Sequence, residues 1–423
     1  MDMRPMTFAG KTGIPDPFAP FLSDDQPASA EAFDLNFILG MPVQRRGPAY
    51  TAVMLATQMH GHGLNCQIFG HPNLWPGDVG VRVFSRRKFP GEQYVARMPW
   101  ASAYGFLHKV AFRKLMQHLD RVGTDRQLVY TWGETSLEMA RALHKRGVPV
   151  VREKINCAKA AAREILTAAY AGLGETPARI ITDAQLAKEA EEMELADAIF
   201  CPSPMVRRTL LQAGVPESKL ISTSYGWEPS RFAGTDRALP EVDVPTFLFV
   251  GMVCVRKGAH ILLEAWQRAG CPGRLVLVGE MEPIIARRFK AILTHETVQY
   301  MSYTRNIAAI FRSADWFVFP TLEEGGPQVT YEAAGCGVPG IVSEMGAGAF
   351  TRHGQDGEIV GSSSVEAWAD ALRRLGNARE LQRYYAENAR RNADTYVWEA
   401  VGRRRREALL ARLAGQADLH SQA

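Results

Sequence analysis

Two glutamates eight positions apart, Glu324 and Glu332, flank a glycine-proline turn that follows an apolar run. The run 316–319 is predicted to be a buried strand that delivers the turn to the carboxyl edge of a sheet. Gly325-Gly326-Pro327 leaves backbone amides free to face a ligand, and proline suits the first turn of the following helix. Helix N-termini attract phosphate, and carboxylates accept hydrogen bonds from hydroxyl groups. This combination is what a nucleotide-sugar requires.

The composition indicates an ordinary globular protein. A chain of 423 residues is long enough for two domains, and 46% hydrophobic with 22% charged residues is typical of soluble folds. The six cysteines are scattered without a CxxC pair, so we expect reduced thiols in a cytoplasm and no disulfide framework or metal site. No cleavable signal or span-length apolar run is visible, so membrane contact is expected to be peripheral, at the inner face.

Positive charge is concentrated between Arg82 and Arg121, where nine Lys or Arg residues stand against only Glu92 and Asp120. Such a patch attracts anionic lipid or a phosphorylated substrate, or is simply a solvated basic face. We predict salt-sensitive contact with an anionic membrane. Nucleic acid is not an expected partner, because no nucleic-acid-binding module accompanies the patch.

Apolar runs alternate with helical patterns along the chain, which predicts parallel βαβ units. Strands are predicted at 35–39, 66–69, 81–84, 128–132, 149–152, 198–201, 220–222, 246–250, 274–278, 298–301, 316–319 and 339–343. Helices are predicted at 48–60, 102–119, 134–145, 158–169, 205–213, 259–269, 283–293, 307–311, 365–390 and 403–413. The Pro- and acid-rich segment 239–245 is predicted to link two domains.

The predicted organisation is a flexible leader at 1–31, an N-terminal domain at 32–240, a C-terminal domain at 241–395 and a basic amphipathic segment at 396–423. Both domains are predicted to be α/β, Rossmann-like and doubly wound, and to face each other across a cleft. Open parallel sheets bind ligands at the carboxyl ends of their strands, so this cleft is the expected site.

Three segments together resemble one family. PTLEEGGPQVTYEAAGCGVPGIV at 320–342 contains an E-x7-E pair, FVGMVCVRKGAHILLEAW at 249–266 places Lys-Gly before a helix, and ADAIFCPSPMVRRTLLQAGVP at 196–216 is followed by KLISTSYGWEPSRF. The chain resembles the retaining glycosyltransferases of family 4, which have the GT-B fold of two facing Rossmann-like domains. The similarity covers residues 33–395.

The resemblance implies roles for residues of the C-terminal domain. Lys257 matches the lysine that contacts the donor diphosphate, and Glu332 matches the glutamate that holds the ribose hydroxyls. Glu324 matches the glutamate at the transferred sugar. The backbone segment beside that sugar corresponds to Gly325, Gly326 and Pro327.

The loop that begins at Gly251 departs from the family at one position. Family members carry an arginine directly after this glycine, whereas this chain has Met252. Arg256 is the candidate to supply the missing charge, and Gly251 is expected to lie at the donor. Tyr303 follows a strand in the region that holds the nucleobase, where it either stacks on the base or packs beneath the next helix.

In the N-terminal domain, the loop Gly40 to Gly47 matches the family's glycine-rich loop, which faces the donor phosphates or the acceptor. Arg45 and Arg46 in this loop are candidates for contact with substrate phosphate. Glu153, just past a strand, is placed either to touch substrate or to form a structural ion pair with a neighbouring cation.

Family members often have a histidine after the strand predicted at 149–152, and this chain has none there. The nearest alternatives, His108 and His144, are predicted to be surface or partly packed histidines on helices. Glu323 is predicted to face solvent.

By this resemblance the protein is a hexosyl-type glycosyltransferase of polysaccharide biosynthesis. It would move sugar from a nucleotide-diphosphate donor to a glycan or lipid-linked acceptor with retention, by front-face attack. No Asp-x-Asp stands at a strand end, so we expect no metal and no cofactor. Lys257 and Arg256 would neutralise the leaving diphosphate.

Two other function classes are weighed. A non-catalytic GT-B module that binds nucleotide or glycan is favoured by Met252 and the missing histidine, and is opposed by the intact set of Lys257, Glu324 and Glu332. A nicotinamide-dependent oxidoreductase would need G-x-G-x-x-G after a strand, and neither glycine-rich loop has that spacing.

Overall fold

The computed structural model describes residues 32–45, 47–85, 100–133, 136–361 and 363–421, so the predicted leader lies outside the described residues. The described residues form one sheet of seven strands and one of six. Every pairing between neighbouring strands is parallel. The predicted α/β fold of two Rossmann-like, doubly wound domains is confirmed.

The N-terminal sheet has the strand order β3-β2-β1-β4-β5-β6-β7. Its strands are β1 (Phe33–Ile38), β2 (Leu64–Phe69), β3 (Arg82–Phe84), β4 (Gln127–Trp132), β5 (Val150–Glu153), β6 (Ala198–Cys201) and β7 (Leu220–Ser222). All six residues of β4 are buried, as expected for a parallel strand covered on both faces. Because the strands run in one direction, the loops that follow them meet at one edge of the sheet.

The helices of this domain follow the predicted alternation. They are α1 (Gly47–Met59), α2 (Trp100–Val122), α3 (Leu137–Lys145), α4 (Lys159–Ala171), α5 (Asp183–Glu194) and α6 (Pro204–Gln212). The sequence analysis did not predict α5, whose turns are rich in alanine and glutamate and carry few large apolar residues. Its start is nevertheless marked by a capping box, in which Thr182 and Gln185 satisfy each other's backbone amides.

The C-terminal sheet has the order β10-β9-β8-β11-β12-β13. Its strands are β8 (Thr246–Val250), β9 (Arg274–Val278), β10 (Val298–Met301), β11 (Trp316–Phe319), β12 (Gly340–Ser343) and β13 (Gly357–Val360). The edge strand β13 was not predicted, because it is short, begins with glycine and is only partly buried.

Two of the helices predicted in the C-terminal domain, at 283–293 and at 365–390, are each divided in two in the structure. The helices of this domain are α7 (Ala259–Arg268), α8 (Pro283–Arg288), α9 (Lys290–Leu293), α10 (Ile307–Phe311), α11 (Gln328–Gly335), α12 (Glu344–Ala347), α13 (Val365–Gly376) and α14 (Arg379–Ala393). The helix predicted at 365–390 is thus two helices that break at Asn377, the C-cap of α13. Short 3₁₀ turns lie at Glu217–Lys219, Pro229–Phe232 and Asp394–Tyr396.

The last helix, α15 (Trp398–Ser421), returns to the N-terminal domain and packs along α1. Gly402 makes this close packing possible, since a Cβ there would lie 2.4 Å from the backbone of Gln58. Most of the predicted basic segment at 396–423 is therefore helix α15, which packs on the N-terminal domain.

Arg405 anchors α15 to the sheet through a buried ion pair with Glu153. Its Nη1 lies 2.8 Å from Oε2 of Glu153 and its Nη2 lies 3.1 Å from Oε1. Both side chains are fully buried, and Tyr130 donates its hydroxyl to the same carboxylate. Although burial disfavours its charge, Glu153 holds the pKa of Arg405 above the ordinary value. The expectation that Glu153 touches substrate is therefore wrong, because both of its oxygens are occupied inside the domain.

We predict that Arg405→Ala lowers the free energy of unfolding by about 3–5 kcal/mol, because it leaves the Glu153 carboxylate buried without its counter-charge. Urea denaturation followed by circular dichroism measures the change. The matched control is Arg403→Ala on the exposed side of α15, which should change stability by less than about 0.5 kcal/mol. Equal stability of the two variants would contradict the anchoring role of Arg405.

Candidate active site

Two loops of the C-terminal domain start side by side at the carboxyl edge of its sheet. One follows β8 and runs from Gly251 to Gly258, and the other follows β11 and runs from 320 to 327. β8 and β11 are paired neighbours, so the loops leave adjacent strand ends. Gly258 lets them touch, because it has φ +72° and a Cβ there would lie 2.0 Å from the carbonyl oxygen of Pro320. The strand pattern of the sequence predicts the position of the second loop at this edge, and the resemblance predicts that Lys257 in the first loop lies near it.

The closest contact between the loops is an ion pair between Lys257 and Glu324. Lys257 Nζ donates to Oε1 of Glu324 and lies 4.9 Å from the centre of the Phe319 ring. The two side chains are only 16% and 11% exposed. Gly251, at φ +132°, leaves room along the lysine stem, since a Cβ there would lie 3.4 Å from its Cδ. The lysine charge is thus held in one position by partly desolvated partners.

Arg256 is engaged by the same loop. Its Nη1 donates to the carbonyl oxygen of Glu323 at 2.9 Å, to the Glu323 carboxylate at 3.2 Å and to Glu324 Oε1 at 3.4 Å. Although burial opposes its charge, the carboxylates of Glu324 and Glu323 hold the pKa of Arg256 above its ordinary value. The guanidinium therefore lies beside Lys257 at Glu324, and its replacing the charge missing at Met252 stays a prediction.

Glu323 does not face solvent, and that prediction is wrong. The residue is only 3% exposed, because its side chain turns into the contact between the domains. There it accepts a hydrogen bond from the Cys157 thiol, 3.5 Å from Oε1, in addition to the bond from Arg256. Burial raises the pKa of Glu323, while Arg256 opposes the shift.

The four charged side chains at the loop junction balance. The cations Lys257 and Arg256 face the carboxylates of Glu323 and Glu324, so their formal charges sum to zero. An anionic ligand would therefore compete with a carboxylate for each cation. Glu324 is the carboxylate that such a ligand would displace from Lys257, because it accepts a hydrogen bond directly from the lysine Nζ.

The glycines after Glu324 serve the contact between the domains. Gly325 forms an antiparallel bridge with Asn156, and a Cβ on it would lie 1.6 Å from the carbonyl oxygen of Ile155. A Cβ on Gly326 would lie 2.7 Å from the Tyr225 ring. The backbone of Gly325 is thus paired with the other domain. The sequence had predicted that this backbone would face a ligand in an open cleft. Pro327 is the residue before α11 and not part of its first turn.

Glu332 lies on α11 and differs from the other glutamates of the site. No described residue donates a hydrogen bond to its carboxylate. Burial raises the pKa of Glu332 to about 7, and only the charge of Arg231 opposes the shift. An unpaired, partly desolvated carboxylate is available to accept hydrogen bonds from a ligand's hydroxyl groups.

Arg231 connects the surroundings of Glu332 to the N-terminal domain. Its guanidinium lies 4.9 Å from the centre of the Tyr50 ring, and the Tyr50 hydroxyl donates to Glu228 at 2.6 Å. Arg45 pairs with the same glutamate, with Nη2 3.6 Å from Oε1, and remains 49% exposed. Arg45 therefore lies near the site but already has a partner.

The rest of the predicted glycine-rich loop has a mixed outcome. Arg46 lies outside the described residues, and Gly47, at φ +58°, begins α1. Gly40 lies against the imidazole of His108, where a Cβ would lie 3.1 Å from Cγ. His108 is 8% exposed, and burial, helped by Lys188 and Arg152, lowers its pKa to about 4. It is thus a packed, neutral histidine. In the sequence, the only indication of this packing is Gly40 after β1, which leaves room for the imidazole.

Three further predicted residues are exposed. Tyr303 is 75% exposed and does not pack beneath α10, so stacking on a base stays a prediction. Met252 is 48% exposed at the position of the family arginine. His144 lies on the surface of α3.

No group of three or more His, Cys, Asp or Glu side chains in the described ranges is arranged to hold a metal ion. Among the helices of the described part of the chain, none has the length and apolarity needed to cross a membrane.

Two doubly wound domains with a site at their facing edges define the GT-B class of folds, and solved structures bear this out. HepE from Anabaena, in complex with UDP and glucose, superimposes with a TM-score of 0.62 at 15% identity, covering 90% of this chain and 100% of that chain. Sucrose-phosphate synthase from Thermosynechococcus elongatus gives a TM-score of 0.63 at 18% identity, covering 92% and 100%. At these identities the likeness establishes the fold.

The C-terminal domain is the part of the chain that is similar to a known family. Residues 244–377, which include Lys257, Glu324 and Glu332, match the family model "Glycosyl transferases group 1". D-inositol 3-phosphate glycosyltransferase from Rhodococcus erythropolis is 26% identical over 219 residues, covering 43% of this chain and 49% of the relative. The Mycobacterium bovis enzyme of that name is 27% identical over 246 residues, covering 53% and 49%. The chain thus spans about half the length of these curated relatives, and the resemblance of its C-terminal domain to group 1 glycosyltransferases is confirmed.

We predict that Glu332→Gln raises the free energy of unfolding at pH 8 by about 1 kcal/mol, after allowance for partial exposure. The folded-state pKa of about 7 lies above the ordinary 4.5, so the wild-type carboxyl ionises at a cost once the pH exceeds 7. The difference between variant and wild type should shrink as the pH falls from 7 to 4.5. Urea titrations at several pH values measure it. The exposed Glu380→Gln is the control, and a pH-independent difference for Glu332→Gln would contradict the raised pKa.

Proposed function

We propose that this protein is a glycosyltransferase that moves a hexosyl unit from a nucleotide-diphosphate sugar to a glycan or lipid-linked acceptor, with retention of configuration. The family match over 244–377 supports the reaction class. UDP-sugars are the first donors to consider, because HepE was solved with UDP and with UDP-glucose. This role places the protein in polysaccharide biosynthesis, as a member of retaining family 4.

The observation that carries the proposal is the pair Lys257–Glu324 at the junction of two strand-end loops. A lysine fixed by a carboxylate and an aromatic ring is oriented before the donor arrives, which is how charge stabilisation in a site is made effective. The carboxylate of Glu324 balances the charge of Lys257 until a diphosphate takes the place of that carboxylate. The released carboxylate is then free to accept hydrogen bonds from hydroxyls of the transferred sugar.

The proposed reaction is a front-face displacement. The bond between the anomeric carbon and the leaving phosphate oxygen breaks, and the acceptor hydroxyl oxygen bonds to that carbon from the same side. The acceptor proton passes to the departing phosphate oxygen, so no protein nucleophile is required. Lys257, with Arg256 beside it, stabilises the negative charge that develops on the diphosphate, and Glu332 accepts hydrogen bonds from the ribose hydroxyls. Because these groups supply the positive charge, we propose that transfer needs no metal.

We also propose that the outer face of α2 contacts anionic membrane. Phe106 is 45% exposed, and Lys109 and Arg113 follow it at helical spacing on the exposed side. Arg121 extends the exposed basic surface at the helix end. The predicted basic residues Arg86, Arg87, Lys88 and Arg97 lie outside the described residues.

We predict that Lys257→Ala lowers the turnover of sugar transfer by about 10²–10³-fold, the loss typical of removing one charge-stabilising group. A thermal-shift screen of UDP-, GDP- and ADP-sugars identifies the donor, and product formation from the best binder, with and without chelator, measures the rate. The exposed Lys290→Ala is the matched control.

Three results of that assay separate the alternatives. Wild-type turnover in Lys257→Ala would refute the role of the lysine. A rate abolished by chelator would overturn the metal-free reaction. Tight binding of a nucleotide-sugar without any transfer would favour the non-catalytic GT-B module, to which Met252 also points.

We predict that Lys109→Glu combined with Arg113→Glu reduces sedimentation with anionic phosphatidylglycerol vesicles at least tenfold at low ionic strength, because each exposed cation near the surface contributes about 1 kcal/mol. Added salt should weaken wild-type binding in the same assay. Lys290→Glu changes an exposed charge of the other domain and serves as control. Absence of wild-type binding at low salt would remove the membrane contact.

A further inference from the structure

The cationic loop at 251–258 is contacted from the N-terminal domain along two separate hydrogen-bonded paths. Each path begins at one side chain of the N-terminal domain and passes through one carboxylate of the C-terminal domain. The paths end at Val255 and Arg256, the two residues that precede Lys257.

The first path begins at Tyr170 in the last turn of α4. Its hydroxyl donates to Oε1 of Glu282 at 2.5 Å. The other oxygen of that carboxylate, Oε2, accepts from the backbone N–H of Val255 at 2.9 Å. Burial raises the pKa of Tyr170, so its hydroxyl remains a donor at neutral pH. One carboxylate therefore joins the other domain to the backbone of the cationic loop.

The second path begins at Cys157, just beyond β5. Its thiol lies 3.5 Å from Oε1 of Glu323, and Oε2 of that carboxylate accepts from Arg256 Nη1 at 3.2 Å. The pairing of Asn156 with Gly325 fixes this junction, because it aligns the two backbones next to the thiol. Here, too, the two oxygens of a single carboxylate face different domains.

We propose that Tyr170 and Cys157 are positioning residues that set the cationic loop through Glu282 and Glu323, so that contact between the two domains adds to what holds Arg256 and Lys257 in place. The catalytic meaning of this arrangement rests on the proposed glycosyl transfer. The contact itself does not depend on it.

Other interactions keep the domains together when either path is cut. Leu173 is buried in the core of the C-terminal domain, and its carbonyl oxygen accepts from Arg288 Nη1 at 3.0 Å. Glu175 pairs with Arg287 at 2.6 Å. Tyr170→Phe therefore removes the hydrogen bond to Glu282 and leaves the interface in place.

Hydrogen exchange of the full-length chain tests the proposal directly. Tyr170→Phe and Cys157→Ala should each raise the exchange rate of peptides covering 251–258 several-fold. In these variants Glu282 or Glu323 loses the bond that fixes it, so the amide of Val255 or the side chain of Arg256 has a less firmly held partner. Cys157→Ser retains a donor and should restore slow exchange. The exposed Tyr384→Phe and the partly exposed Cys271→Ala are the matched controls.

A kinetic readout separates positioning from general stability. Each variant should lower kcat about tenfold, the loss expected for one hydrogen bond to a charged group, with donor KM changed less than twofold. Unchanged exchange at 251–258 in both Tyr170→Phe and Cys157→Ala would overturn the proposal. So would a rise in exchange spread equally over both domains. If the wild-type chain transfers no sugar from any donor, the proposed function fails. The hydrogen-exchange data would still decide whether Tyr170 and Cys157 position the cationic loop.

Discussion

Charge balance between Lys257 and Glu324 is the constraint on which the rest of the site depends. Placing Lys257 and Arg256 side by side in a partly desolvated junction would be strongly unfavourable without carboxylates near them. The chain supplies those carboxylates from the adjacent loop, so the cations are in place before any ligand arrives. In the proposed reaction a diphosphate takes over the balancing role, since it also brings negative charge close to the cations.

The contact between the domains is built from backbone as much as from side chains. Gly325 pairs with Asn156 where no side chain could fit, which brings the loop of Glu323 and Glu324 against the N-terminal domain. As a result, the loop that balances the cations is also the loop that touches the other domain. The electrostatics of the site and the closure of the cleft are therefore properties of one segment, 322–326.

The sequence predicts the fold well because most strands of both sheets are buried on two faces. Most strands from β4 to β12 are short apolar runs that stand out between polar segments, and the bounds of each were predicted within one residue. The loops at Lys257 and at Glu324 were found for a similar reason, since each follows such a run. Elements without a strong apolar signal were missed, namely α5, the four-residue α12 and β13.

Partners across long separations could not be predicted. Glu153 pairs with Arg405, which lies 252 positions later in the chain, and the sequence around either residue does not indicate the pair. Glu323 lies next to Glu324 in an irregular loop, where no periodicity distinguishes a buried carboxylate from an exposed one. The backbone N–H of Trp227 donates to the carbonyl oxygen of Tyr396 at 3.1 Å, and the N–H of Trp398 donates to the carbonyl oxygen of Trp227 at 3.3 Å, so two segments far apart in the sequence are joined beside α15. Because these two bonds hold both segments at one point, we expect any relative movement of the domains to be a rotation about that point.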